Sequence, residues 1–266
     1  MNSLAVKHWR RPPLIANRGL RWLLTGLIPA YLLLVVLTID VPWARAVEGL
    51  PRAWQLISAL FTPDFLSRGD AIVVGLKESL AMTFAATLIG FVLAVPVGLG
   101  AARNLAPVPV YLLCRSFIAV SRSFQEIIIA ILFVAMLGFG PLAGLATLVF
   151  ASIGFIAKLA AEEIESMDQA PLEAMRACGA GWAQQVVWAV APQLLPRLTG
   201  ITLYRLDINF RESAVIGIVG AGGIGATLNT AIDRYEYNSA AAIVLLIIAI
   251  VLLAEYASQW LRRRLR

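Results

Sequence analysis

The chain has 266 residues, of which 60% are hydrophobic and 14% charged, and its mean hydropathy is +0.80. Soluble domains carry about 45–50% apolar and about 25% charged residues, so this composition excludes an ordinary soluble domain and specifies a chain threaded through lipid. The net charge of +6 gathers at the ends, in Lys7, Arg10, Arg11, Arg18 and Arg21 and again in Arg262, Arg263, Arg264 and Arg266; beside apolar spans such clusters mark cytoplasmic flanks against anionic headgroups, not a nucleic-acid surface.

Residues 1–21 read as a basic cytoplasmic tail, and 22–71 as a first span with an external segment. The apolar run 22–39 is long enough to cross a bilayer. It imitates a secretory leader, with Ala44-Arg45-Ala46 as a small-x-small site. Its apolar core exceeds the roughly 7–15 residues of such leaders, which predicts an uncleaved anchor. Residues 40–70 balance Arg45, Arg52 and Arg68 against Asp40, Glu48, Asp64 and Asp70, and 53–61 fits an interfacial helix.

The remaining chain, 72–266, carries the other predicted spans. The second runs from 72 to about 99, with Lys77 and Glu78 near its outer end; Arg103 and Asn104 mark a short inner loop. Residues 110–139 are too long for one simple crossing. They are expected to enter as a tilted or interfacial stretch to 121 and to span from about 124 to 137. Gly138-Phe139-Gly140-Pro141 forms a tight outer turn, and 142–159 returns inward. Residues 198–219 go out, 220–239 form an outer re-entrant or loop segment, and 240–260 come back. The fold class is therefore an all-α polytopic membrane protein with about six transmembrane helices and cytoplasmic N and C termini, in agreement with the positive-inside rule.

Between the fourth and fifth spans lies a polar loop, 162–197, unusually long against the typical 4–6 residues. Asp168 or Ser166 can cap a first short helix, Pro171 sits in its opening turn, and Glu173 complements its dipole. Gly179 can close it in a left-handed conformation. A second segment, 182–190, is expected to stop near Pro192, which has no amide hydrogen.

Glu173-Ala174-Met175, then Gly179, then Pro192 match the offsets of the E-A-A-x3-G-x9-I-x-L-P loop of permease subunits of binding-protein-dependent ABC importers, which this chain resembles. It departs from that pattern at Met175, Ala189 and Ala191. The resemblance implies that the loop is a cytoplasmic coupling helix seated in a cleft of an ATPase subunit, with Glu173, Ala174, Ala177, Gly179 and Pro192 as its coupling residues.

Seven charged groups fall within or near apolar spans: Arg122, Glu126, Lys158, Arg205, Asp207, Arg211 and Glu212. Each costs about 2–3 kcal/mol at a helix centre, so they are expected to face a bundle interior, a partner or water. Asp207 and Arg211 lie one turn apart and can pair, while Arg205, Asn209 and Glu212 form a second strip. Two readings stand. These groups lock helices together, with Glu126 or Lys158 as further partners; or Arg205 or Arg211 faces an anion in a translocation pathway, since a guanidinium suits phosphonate or phosphate oxygens.

Gly220, Gly222, Gly223 and Gly225 formally fit a dinucleotide-binding G-x-G-x-x-G, but a membrane helix precedes them where a strand is required. They suit a bend and close helix approach at an outer gate. With the 203–212 strip, this stretch is similar to the phosphonate-import (PhnE-type) permeases, within the methionine-importer-like fold. That resemblance implies a second, identical permease chain, ABC ATPase subunits that bind ATP and magnesium, a periplasmic or lipid-anchored solute-binding protein, and a bacterial inner membrane. The solute it implies is a phosphonate, phosphite or hypophosphite.

Cys114 and Cys178 fall on the predicted cytoplasmic side, too few for a structural zinc site and in the wrong compartment for a disulfide framework. The sequence has no P-loop lysine motif, its single histidine is His8, and no nucleophile–base set stands out. A permease with no cofactor of its own is expected, in place of an enzyme. An importer for another small solute such as an amino acid, or an ATP-independent channel or exchanger, is the alternative.

Overall fold

A computed structural model describes residues 17–38 and 43–264. The basic cluster at Lys7, Arg10 and Arg11, together with His8, Asp40 and Arg266, lies outside the described residues, as do the side chains of Arg18 and of residues 257–264. Every regular element among the described residues is helical.

The chain divides into two compact units after Trp54. The first holds α1, Arg18–Thr38, and the start of α2, Trp43–Ala59. The 21 residues of α1 extend about 31 Å, the thickness of a hydrocarbon core. Thr25 and Thr38 keep their hydroxyls out of lipid by donating to the carbonyls of Arg21 and Leu34 one turn back. In α2, Val47, Leu50, Trp54 and Ile57 recur at helical spacing and are exposed. The helix thus begins ten residues before the predicted stretch 53–61 and carries Pro51 within it.

The second unit is a bundle. Its long helices are α3, Gly69–Gly100; α6, Pro141–Ser166; α9, Ala191–Gly217; and α11, Tyr237–Arg264. Between α3 and α6 stand α4, Val108–Ser123, and α5, Glu126–Leu137, bent by 94° at their junction. Five helices of the described chain are long and apolar enough to cross a membrane, or six with the bent pair counted as one span. That count agrees with the predicted six, and the break falls where the sequence placed a change of direction.

Two ridges organise the bundle, mostly small residues on α3 and small alternating with large on α6. Met82, Ala86, Gly90, Ala94 and Gly98 recur every fourth residue of α3 and are all buried; Gly144, Leu148, Ser152, Ile156, Ala160 and Ile164 do the same on α6. Met82 faces Gly144, Gly90 faces Ser152, and Gly98 faces Ala160. The constant offset of these pairs means that α3 and α6 run parallel, ridge to ridge. A Cβ on Gly90 would come within 2.5 Å of the Ser152 Cβ, so the missing side chain is what lets the backbones meet. α9 runs the other way: Leu194 and Leu198 pack with Ile164 and Ala101 at one end, and Gly217 abuts Gly222 and Ala226 at the other.

At that second end the glycine-rich stretch leads into a short helix, α10, Gly223–Asp233, where the sequence predicted a re-entrant or loop segment. Gly220, Gly222 and Gly223 all have positive φ. At Gly222 both features matter, because a Cβ would also lie 2.7 Å from the Pro141 nitrogen. Glu78 Oε2 accepts the Gly223 amide at 3.0 Å and Ser79 Oγ the Ile224 amide at 2.9 Å. Side chains of α3 thereby satisfy the first free N–H groups of α10.

Gly90→Leu forces bulk between α3 and α6 and is expected to cost about 1–3 kcal/mol, read as a lower thermal unfolding temperature in detergent. Gly26→Leu in α1, where nothing lies within 4 Å, serves as the control. Equal stability of the two variants would refute the ridge packing.

Candidate functional site

The end of the bundle that holds the C-termini of α3 and α6 carries a projecting turn of helix. α6 runs on as helix through Glu162, Glu163 and Glu165 to Ser166, past the predicted span end at 159, so the true connection is shorter than the predicted loop. The N-cap of α7, Ala170–Ala177, is Gln169, not the predicted Asp168; Asp168, one residue earlier, accepts the Ala170 amide on its Oδ1 at 3.0 Å, and Pro171 lies in the first turn. Ser166, the other predicted cap, instead donates to the Glu163 carbonyl.

Leu172 is wholly buried in the cluster of Ala101, Ala102, Leu105, Ile118 and Ile164. That single anchor turns Glu173, Ala174 and Ala177 to the exposed face. The helix then ends as the sequence predicts: Gly179 has φ +74°, its amide donates to the Arg176 carbonyl, and the Ala180 amide donates to the Met175 carbonyl, each at 3.0 Å. These paired bonds form a Schellman motif, which requires the left-handed residue that glycine supplies.

Polar contacts fix α7 to the bundle. The Arg176 guanidinium donates to the Asn104 carbonyl at 2.6 Å, and Asn104 Nδ2 donates to the Ile164 carbonyl at 2.9 Å. Arg115 joins Glu165 at 2.8 Å and the Ala101 carbonyl at 2.9 Å, and Arg197 pairs with Glu163.

Pro192 does not stop its helix, contrary to the sequence reading. α8, Trp182–Gln185, passes through a π-helical turn, Val186–Val190, into α9, giving one helical rod of 36 residues, Trp182–Gly217. The wider turn shifts the hydrogen-bond register, the Ala191 amide reaching back to the Val186 carbonyl. The ladder thus skips the bond that Pro192 cannot make. Trp182, Val187 and Trp188 are exposed on this rod.

The middle of α9 carries the buried charges. Arg205 is 1% exposed; it donates to Ser152 Oγ at 3.0 Å and pairs with Glu212 at 3.1 Å. Its guanidinium also lies 5.2 Å from the centre of the Phe155 ring. Asn209 is fully buried between Thr87, at 2.8 Å, and Ser152, at 3.0 Å. Arg205, Asn209 and Glu212 are thereby brought together with α3 and α6, and Glu126 adds its charge to the same group. Asp207 and Arg211 form the predicted one-turn ion pair, separate from that network, with the Asp207 Oδ1 buried and unpartnered. The Arg211 side chain is 52% exposed. Lys158 does not join either set; it faces Glu162 at 3.8 Å on its own helix. Thr87, Ser152 and Phe155 were missed by the sequence reading, although Ser152 stands on the α6 ridge.

At the opposite end, a concavity of about 780 Å³ is lined by Arg68, Arg234, Tyr235, Glu236, Tyr237 and Asn238. Arg68 holds Glu236 through both its Nε and its Nη2, the latter at 3.0 Å, and the Asp64 amide donates to the Asn238 carbonyl at 3.1 Å. The hydrogen bond from Arg68 depresses the Glu236 carboxyl below its ordinary 4.5. The Ser67 hydroxyl does the same for Asp64, joined by the Ser67 and Leu66 amides. Among the described residues no group of His, Cys, Asp and Glu is placed to hold a metal ion.

A bundle of spans that encloses fixed charges and projects a short helix at one end has the architecture of the membrane part of a transport system. Residues 94–266 match the family described as the binding-protein-dependent transport system inner membrane component. The chain is 39% identical over 252 residues to the phosphate-import permease protein PhnE of Mycolicibacterium smegmatis, covering 94% of this chain and 47% of that protein. It therefore spans about half the length of the mycobacterial relative. It is 41% identical over 220 residues to the phosphite transport system permease protein PtxC of Stutzerimonas stutzeri, covering 82% and 80% of the two chains. Among solved structures, a chain of the MetNI methionine ABC transporter in inward-facing form superposes with a TM-score of 0.64 at 28% identity, over 73% of this chain and 95% of that one. The protein belongs to the family of binding-protein-dependent transport system inner membrane components.

A carboxyl depressed on folding stabilises the fold above its unfolded value and loses that contribution as pH falls through the folded value. The junction of Arg68 with Glu236 is therefore expected to hold unchanged from pH 8 to pH 5 and to loosen only below the ordinary carboxylate range. Hydrogen exchange of residues 60–68 reads this directly. Loosening already at pH 6, or the same profile in Glu236→Gln, would contradict it.

Proposed function

We propose that this chain is the permease subunit of an ATP-driven importer that carries a small phosphorus oxyanion (phosphonate, phosphite or hypophosphite) into the cytoplasm. The observation that carries the reading is α7. Its single buried anchor and glycine-closed end leave Glu173, Ala174 and Ala177 open to a partner, and two of these are small enough to seat in a cleft. The partner is an ABC ATPase subunit, which binds the ATP and magnesium. The α7 end and both termini face the cytoplasm. The α10 end faces a solute-binding protein, and a second copy of the chain completes the pathway. Similarity to permeases named for phosphate and phosphite supports the solute class.

In this reading the rod Trp182–Gly217 carries motion from the ATPase to the charged middle of the bundle. Arg205, Asp207, Asn209, Arg211 and Glu212 border the pathway, with Arg211 on its open side, and Gly220, Gly222, Gly223 and Gly225 form the bend at its outer mouth. The likeness to a methionine transporter favours an amino acid as the competing solute.

Purification from native membranes in mild detergent, followed by mass spectrometry of what remains bound, tests the assembly. An ATPase subunit at two copies per permease pair is expected, and its binding protein is expected to take phosphite or a phosphonate. A permease reproducibly free of any ATPase would overturn the reading.

Gly179→Pro removes an amide that donates in the Schellman motif and imposes a negative φ where the chain needs a positive one. Uptake coupled to ATP is expected to vanish while membrane insertion stays intact; uptake at the wild-type rate would sink the coupling role of α7.

A further inference from the structure

Of the arginines within the spans, Arg205 is saturated by Ser152, Glu212 and the Phe155 ring, and Arg211 is held by Asp207. Arg122 differs from both. It is exposed and forms no ion pair among the described residues. Its guanidinium rests 5.4 Å from the centre of the same Phe155 ring that Arg205 touches.

Its position is fixed by packing. Ser121 lies against Gly154 so closely that a Cβ there would come within 2.2 Å of the Ser121 hydroxyl, and the Arg122 Cδ would be 3.8 Å from that Cβ. Gly154 lies about 20 Å along α6 from Pro141 and one turn before Lys158, so Arg122 sits within the span, in the half nearer the α7 end. An exposed and unpaired guanidinium at that depth cannot face hydrocarbon; it must face water, a substrate or a partner. Arg122 is also the second-last residue of α4, in the last turn before the two-residue break and the 94° bend into α5. A broken span within the membrane, with at its elbow a guanidinium that makes no ion pair among the described residues, is an arrangement that suits a passing anion.

The surroundings favour a weak contact. Glu126, at the start of α5, and Glu212 stand close to Arg122 and Arg205. An anion reaching Arg122 gains a planar, bidentate partner but meets carboxylates beyond it, which favours release over retention.

We propose that Arg122 is the guanidinium that contacts the oxyanion within the membrane, with Phe155 as its resting surface and the Arg205–Glu212 pair as a fixed wall behind it. The solute class rests on the function proposed above; the placement of Arg122 in the aqueous path does not.

The test uses the complete transporter in liposomes, with its ATPase and binding protein. Arg122→Cys is made in a background with Cys114→Ser and Cys178→Ser, and the probe is a cationic, membrane-impermeant methanethiosulfonate. The Arg122→Cys thiol is expected to react in at least one nucleotide state. Phosphite, supplied with binding protein, is expected to slow that reaction. In parallel, Arg122→Gln is expected to lower phosphite uptake per ATP hydrolysed about tenfold, the scale of one lost charge-assisted contact, with Arg122→Lys falling between.

A thiol unreactive in every nucleotide state, or one that forms a disulfide between two copies of the chain, overturns the proposal. So does a reactive thiol that phosphite leaves unaffected while the wild type transports phosphite. A wild type that takes up no phosphite removes the solute assignment alone, and a reactive thiol then still places position 122 in the path.

Discussion

The parallel contact of α3 with α6 is the constraint on which the other features rest. Neither helix has a hydrophobic incentive to leave lipid for the other, so the contact depends on backbones that approach closely enough for dispersion and for polar bonds between helices. Gly90 opposite Ser152 is the centre of that approach. The same Ser152 receives Arg205 and Asn209 from α9, so the close packing of two helices creates the polar seat for a third. Bulk at Gly90 would disturb a charge network that never touches it.

That arrangement explains how a chain with few charges places several of them inside the membrane. Arg205 has its charge met by Glu212, its donors met by a hydroxyl, and its flat face met by a ring. An ion buried with that many partners persists where a lone one would be expelled. The Asp207–Arg211 pair is more open: one carboxylate oxygen is buried without a partner and its arginine remains half exposed. The two sets on α9 therefore differ in kind, one closed within the bundle and one with capacity left over.

Much of this was legible in the sequence wherever a signal is local. Gly179 could be read as a helix terminator because the left-handed conformation is a property of one residue, and Asp207 and Arg211 could be read as a pair because helical spacing alone brings them together. The change of direction near residue 122 was legible because the apolar run exceeds a bilayer. What escaped were features made by tertiary contact. Pro192 reads as a stop, yet a π turn upstream absorbs its missing bond. The glutamates from 162 to 165 read as a loop, yet Arg197 and Arg115 meet two of them on a continuing helix. Ser152 has no signal of its own, since its role comes from the helices that converge on it.

The π turn has a consequence for geometry as well as for bonding. One extra residue in a helical turn rotates everything before it by roughly 100° about the axis relative to everything after it. The turn at Val186–Val190 lies between the exposed Trp182 end of the rod and the buried charges of α9. It therefore sets the angular phase between the two, in the way a splined joint fixes the orientation of one shaft against another. A uniform α-helix of the same sequence would aim one of those faces in the wrong direction, however well each end packed locally.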